Sequence, residues 1–100
     1  MNKPWTAHRL KTHPNEFRAT KAGWKLAEFR FDDRDYQVGD VLVLSEWDPQ
    51  TMEYTGDVLW ALVNHIQRGG NFGIPDGYVM MSIIAVEYSR KTLKPDGSGG

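Results

Sequence analysis

Lys25, Glu28 and Arg30 put three ionisable side chains within six positions of the chain. A Lys/Arg pair supplies charged donors for phosphates, and a carboxylate between them accepts from a base edge or a sugar hydroxyl. The same neighbours could also work as a catalytic pair. Glu28 would then be the general acid/base, and Lys25 an amine that helps prepare a nucleophile. A third reading is structural: Glu28 and Arg30 form a solvated or barrel-end ion pair that contributes little to stability. Charge alone leaves all three open. Lys11, Gly23 and Trp24 complete the candidate ligand-binding set, with Lys11 as a phosphate contact, Trp24 as an aromatic surface for the ligand and Gly23 as the bend that frames the segment.

The spacing makes a geometric demand. Glu28 and Arg30 are two apart, so an extended strand projects both to one side. Lys25 has the opposite parity to Glu28. It joins them only if Gly23-Trp24-Lys25 is still a turn and the strand starts later, and a glycine at 23 permits that turn.

Other chemistries find little support. With no cysteine, the chain has neither a disulfide framework, a thiolate metal site nor a cysteine nucleophile. His8, His13 and His65 are scattered without an HxH or HxxxH pair, so no metal or other cofactor is expected. His8 and Lys11 have opposite parity on a strand and cannot both face one site. No GxSxG, P-loop or GxGxxG occurs. Trp24, Tyr36, Trp47 and Trp60 are the aromatics that could stack bases. Trp60 reads as core, Trp24 and Trp47 as fairer candidates. Arg34 and Tyr36 sit at a turn, where they either rim a cleft or fix the turn.

The elements that must position these residues follow from pattern. Thr6 to Lys11 reads as a short opening strand. His13-Pro14-Asn15-Glu16 is a helix start, with Pro in the first turn and an acid beside it. The helix runs to about Ala22, and Gly23 stands where a left-handed stop is needed. Leu26 to Phe31 is a strand with Ala27, Phe29 and Phe31 on one face and Leu26, Glu28 and Arg30 on the other. Asp32–Asp35 and Val38–Asp40 are turns. Val41 to Leu44 is a continuous apolar run, suited to a strand buried on both sides and ended by Asp48-Pro49-Gln50. Tyr54-Thr55-Gly56-Asp57 reads as a turn into a strand over Val58 to Val63, and Tyr78 to Tyr88 is the last long strand. Between them, 68–77 holds four glycines and a proline and reads as a surface loop, either functional or a plain connector. The pattern gives an α+β domain: a small, partly open β-barrel with helix cover.

The chain has 100 residues, 40% hydrophobic and 25% charged, the composition of one globular domain. We place that domain at 1–94 and a flexible tail at 95–100. No apolar run approaches the length needed to span a bilayer, and the N-terminus lacks the apolar stretch of a signal peptide. A cytoplasmic protein with no membrane partner is the expectation. Net charge is -1, but residues 1–30 carry seven Lys or Arg against two Glu, and residues 31–66 carry one Arg against eight Asp or Glu. Either the surface is polarised, with one face attracting phosphates, or the two segments mix in space.

The segment Gly23, Lys25, Glu28, Arg30 resembles the G-x-K-x-x-E-x-R signature of the ASCH domain family, within the PUA-like superfamily. The likeness extends to His8–Lys11, to Asp33–Asp40 leading into Val41–Leu44, to Glu46–Pro49, to Tyr54–Gly56 and to Gly77–Ile83, roughly residues 8–84. It is nearest to a bacterial and phage branch of that family. The resemblance implies a PUA-like mixed β-barrel of about five to six strands with one or two short covering helices. It also implies a cleft beside the first helix, lined by the signature residues. Its superfamily mostly binds RNA, so RNA or a nucleotide-like ligand is the partner it implies. One ASCH branch is an amidohydrolase on an acetylated cytidine and uses a Lys with a Thr three residues later. Here Lys25 matches the Lys, while Glu28 stands at the Thr position. Another branch has been linked to ribonuclease activity. The function expected is therefore nucleic-acid binding. One alternative is a small hydrolase acting on a modified nucleoside or on RNA, with Lys25 and Glu28 as its catalytic pair. Another is a protein-interaction domain using the acidic Asp32, Asp33 and Asp35.

Overall fold

Val41 to Leu44 occupies the position its composition demands, deep in a five-stranded sheet. The computed structural model describes residues 5–90. The expected tail over 95–100 and the first four residues lie outside that range. The elements are β1 (Ala7–Thr12), α1 (Pro14–Lys21), β2 (Ala27–Phe31), β3 (Val41–Asp48), β4 (Glu53–Arg68) and β5 (Tyr78–Arg90). The sheet order is β1-β3-β4-β5-β2. The β1–β3 pair is parallel and the others are antiparallel. The result is a small mixed half-barrel with one short helix, which realises the α+β barrel with helix cover expected from the pattern.

Local sequence explains the positions. Strand β3 lies between β1 and β4, with α1 packed on it, so Leu42, Val43 and Leu44 are all buried. In β1 the burial alternates, with His8, Leu10 and Thr12 inward and Arg9 and Lys11 outward. Pro14 opens α1, and Phe17 and Thr20 form its buried side. Phe17 meets Tyr88 edge-on at 6.4 Å between ring centroids. Leu10, Leu42, Leu59, Val63, Val79 and Met81 make the centre of the core.

Three expectations are corrected. Tyr54–Asp57 is not a turn but part of β4, where Tyr54 pairs with Trp47 and Asp57 with Arg90. The reversal comes earlier, where the Met52 N–H donates to the Asp48 carbonyl at 2.8 Å. The same strand runs past Val63 to Arg68, with its register shifting between Val63 and His65. Trp60 is half-buried and lies outside the core cluster. The 68–77 segment is the β4–β5 connection, with Phe72 exposed on it.

The basic first third and the acidic middle third meet in space. Parallel pairing of β1 with β3 sets Lys11 against Ser45 and Thr12 against Glu46. No helix among the described residues is long and apolar enough to cross a membrane.

Candidate functional site

Strand β2 is turned the opposite way from an ordinary edge strand. Its aromatic residues face out, with Phe29 46% and Phe31 55% exposed, while Glu28 is 6% exposed. The outer rings stabilise one another. Phe29 stacks on Tyr78 at 5.2 Å, and Phe31 meets Tyr78 edge-on at 5.3 Å. The inward carboxylate needs partners, because an unpaired buried charge is strongly disfavoured. It has two: Lys25 Nζ donates to Glu28 Oε1 at 2.8 Å, and Arg30 Nε donates to Oε2 at 2.7 Å. Both are charge-assisted bonds. A carboxylate offers about four acceptor sites, so each oxygen keeps capacity for a ligand.

The turn that parity demands is present. Ala22 closes α1, Gly23 adopts φ +83°, and β2 begins only at Ala27. The Trp24 and Lys25 N–H groups both donate to the Ala19 carbonyl, at 2.9 and 3.1 Å. Lys25 leaves this turn with its ammonium directed at Glu28 and at the Ala27 carbonyl. Arg30 reaches further, and its Nη2 donates to the Lys11 carbonyl at 3.0 Å.

These groups open on one cleft of about 420 Å³ lined by Lys11, Thr12, His13, Glu16, Lys25, Glu28, Phe29 and Arg30. Three cations there face two carboxylates. Trp47 steadies the rim: the Lys11 ammonium sits 4.1 Å from its ring centroid, and His13 stacks on it at 5.8 Å. Of the sequence candidates, Lys11, Lys25, Glu28 and Arg30 are brought together. Gly23 and Trp24 are not. They cap the C-terminal end of α1, whereas the cleft wall is made by His13 and Glu16 at its N-terminal end, and Trp24 is 86% exposed. Gly23 acts through its backbone, by allowing Lys25 to reach Glu28.

Tyr36 is removed as a stacking surface, being 1% exposed and set edge-on against His8 at 4.8 Å. Burial pushes its hydroxyl pKa up, against the opposing pull of Arg34 and Arg30. Arg34 donates from Nη1 to the Arg9 carbonyl at 3.0 Å. His8 faces inward and Lys11 outward, as their parity requires. Asp32 accepts from Arg68 at 3.0 Å and from the Tyr36 N–H at 3.2 Å, so it is engaged within the fold. Among the described residues no three His, Asp or Glu side chains gather into a metal-ligating group.

Sequence reasoning missed Thr12, His13, Glu16 and Phe29 as lining residues. The helix start at His13–Glu16 was readable, but its apposition to β2 depends on pairing between distant strands.

A family described as a domain of unknown function, DUF3850, matches residues 7–83. This chain belongs to that family. The match takes in all of β1, α1 and β2, and therefore every residue lining the cleft. A stretch of 40 residues is also 48% identical to an uncharacterized 12.9 kDa protein in the GpA 3′ region of Escherichia phage P2. That stretch is 40% of this chain and 37% of the phage protein, so the likeness spans little more than a third of that relative.

Proposed function

We propose that this DUF3850 chain is an RNA-binding domain of the PUA-like, ASCH type, with its ligand in the cleft beside α1. The observation that supports it is the convergence of Lys11, Lys25 and Arg30 around the buried Glu28 on one open cleft. The cations neutralise a backbone phosphate. The free acceptor sites of Glu28 take a base-edge amine or a sugar hydroxyl. His13 and Phe29 also border this cleft. The test is the affinity of a labelled single-stranded RNA between about 50 and 200 mM salt, where each lost phosphate contact lowers the logarithmic salt slope by about one. Lys11→Met and Lys25→Met should each weaken binding and flatten that slope. Negligible affinity for varied RNAs and single-stranded DNA at low salt overturns the reading.

A second reading rests on the 2.8 Å contact between Lys25 Nζ and Glu28 Oε1. It makes the pair the acid/base centre of a hydrolase on a modified nucleoside or on RNA. Glu28→Gln should then abolish turnover while binding persists. The absence of product across a panel of modified nucleosides and RNAs counts against it.

A further inference from the structure

The core and α1 fill the inner side of the sheet, where Phe17 meets Tyr88. The outer side carries two rows set by the strand register. One row runs Arg9–Val43–Trp60–Glu87 across β1, β3, β4 and β5. The next runs Ala7–Val41–Leu62–Ile84. Their neighbours Leu10, Leu42, Leu59 and Ala61 belong to the core, so alternation turns both rows outward. A β-bulge inserts Val86 between Ala85 and Glu87. Ile84 is 48% and Val86 59% exposed, and Val41, Trp60 and Leu62 are half-buried. The first row is thus apolar in the middle and oppositely charged at its ends. Arg9 Nη1 donates to Ser45 Oγ at 2.9 Å, and neither Arg9 nor Glu87 makes an ion pair among the described residues.

We infer that this face docks a second copy of the chain about a two-fold axis parallel to the strands. Two copies of one sheet meet face to face only when the axis lies in the plane between them. An axis along the strands exchanges the margins, so Arg9 of each copy meets Glu87 of the other. An axis across the strands would set Arg9 against Arg9. Charge therefore selects the first arrangement and makes the face complementary to itself, as an isologous interface requires. The sheets then pack nearly aligned, like the layers of a sandwich. Four strands about 4.8 Å apart and eight residues of β5 at about 3.3 Å each give roughly 500 Å² per copy. The pair buries about twice that, the lower bound of a specific interface, which fits a reversible dimer in the micromolar range. The residues after Arg90 include one leucine, Leu93, among polar, charged and glycine residues, too little apolar surface to cover the face. None of the face residues lines the cleft, so the interface is separate from the ligand site.

Sedimentation velocity of the full chain from about 1 to 500 µM tests this. The wild type should shift from monomer to dimer as concentration rises. Ile84→Lys should abolish the shift, because it buries a charge at the centre of the face. Arg9→Glu and Glu87→Arg should each weaken association by about tenfold, since each sets like charges against one another twice per dimer. An equal mixture of these two variants should associate as the wild type does, because every margin then meets its opposite. Ile84→Lys and Glu87→Arg replace exposed side chains that hold no polar partner in the fold, and thermal midpoints near wild type show that the variants are folded. The inference is overturned if the wild type stays monomeric throughout, which would leave the face to a partner of another kind. It is overturned equally if the dimer withstands Ile84→Lys, since the contact then lies elsewhere. A mixture that associates no better than either variant alone overturns the two-fold arrangement.

Discussion

The guanidinium of Arg30 donates to the Lys11 carbonyl at 3.0 Å, joining two strands that do not pair. β1 and β2 are the two edges of the sheet, and this bond crosses the gap between them. Arg34 repeats the device two residues along β1, at the Arg9 carbonyl. Two arginine side chains thus satisfy edge carbonyls where a closed barrel would use another strand. Arg30 also holds Glu28, so one side chain links the seam to the cleft.

Removing Arg30 therefore acts on both. Arg30→Ala leaves Glu28 with Lys25 as its single charged partner and frees the Lys11 carbonyl, for a loss of about 1–2 kcal/mol. Arg30→Lys restores the charge but not the forked geometry, so it recovers only part. Lys25→Ala combined with Arg30→Ala should cost more than the two changes added together, because it strands a buried carboxylate. Adding Glu28→Gln should recover stability. Urea denaturation of the set measures this, and strict additivity would sink the account.

Acid should destabilise the fold through Asp40. Burial alone would raise this carboxyl. The His8 Nε2 contact at 2.8 Å and the Thr6 and Gln37 N–H groups, each at 3.0 Å, outweigh it and hold the group below its ordinary value of 3.8. A depressed folded value means the contribution is complete above 3.8 and is lost as pH falls through the folded value. The thermal midpoint should drop in that acid window, and Asp40→Asn should flatten that part of the profile. An unchanged profile in the variant would move the acid sensitivity elsewhere.

What the sequence made legible was local. Pro14 and Gly23 bracket α1, the apolar run fixes β3, and parity puts Glu28 with Arg30 and demands the Gly23–Lys25 turn. What it hid was either nonlocal or a local rule overridden. Thr12, His13 and Glu16 reach the cleft only because β1 pairs in parallel with β3, across about thirty residues of chain. Tyr54–Asp57 carries turn residues, yet Tyr54 pairs with Trp47 of β3 and Asp57 with Arg90 of β5, so the strand runs through with Gly56 at a φ of +96°. Tyr36 sits among aspartates, but its ring fills the space beside His8. Trp24 adjoins Lys25 in sequence, but it is 86% exposed at the end of the helix and does not line the cleft.

Two glycines should separate stability from binding. A Cβ at Gly69 would stand 2.0 Å from the Pro75 carbonyl oxygen and 2.8 Å from that of Tyr78, both backbone atoms. Gly69→Ala must therefore open the β4–β5 connection, where the Gly69 N–H donates to Tyr78 at 2.8 Å, at a cost of about 2–3 kcal/mol. This connection contributes nothing to the cleft, so ligand affinity of the folded fraction should hold. Gly23 has open space around it but a φ of +83°, so Gly23→Ala costs about 1–2 kcal/mol of backbone strain. That strain falls on the turn that aims Lys25 at Glu28. The less destabilising change should then be the more damaging to binding. Thermal midpoints and RNA affinities measured on both variants test the crossover. If affinity followed stability in the same order, the Gly23 turn would have no special part in positioning Lys25.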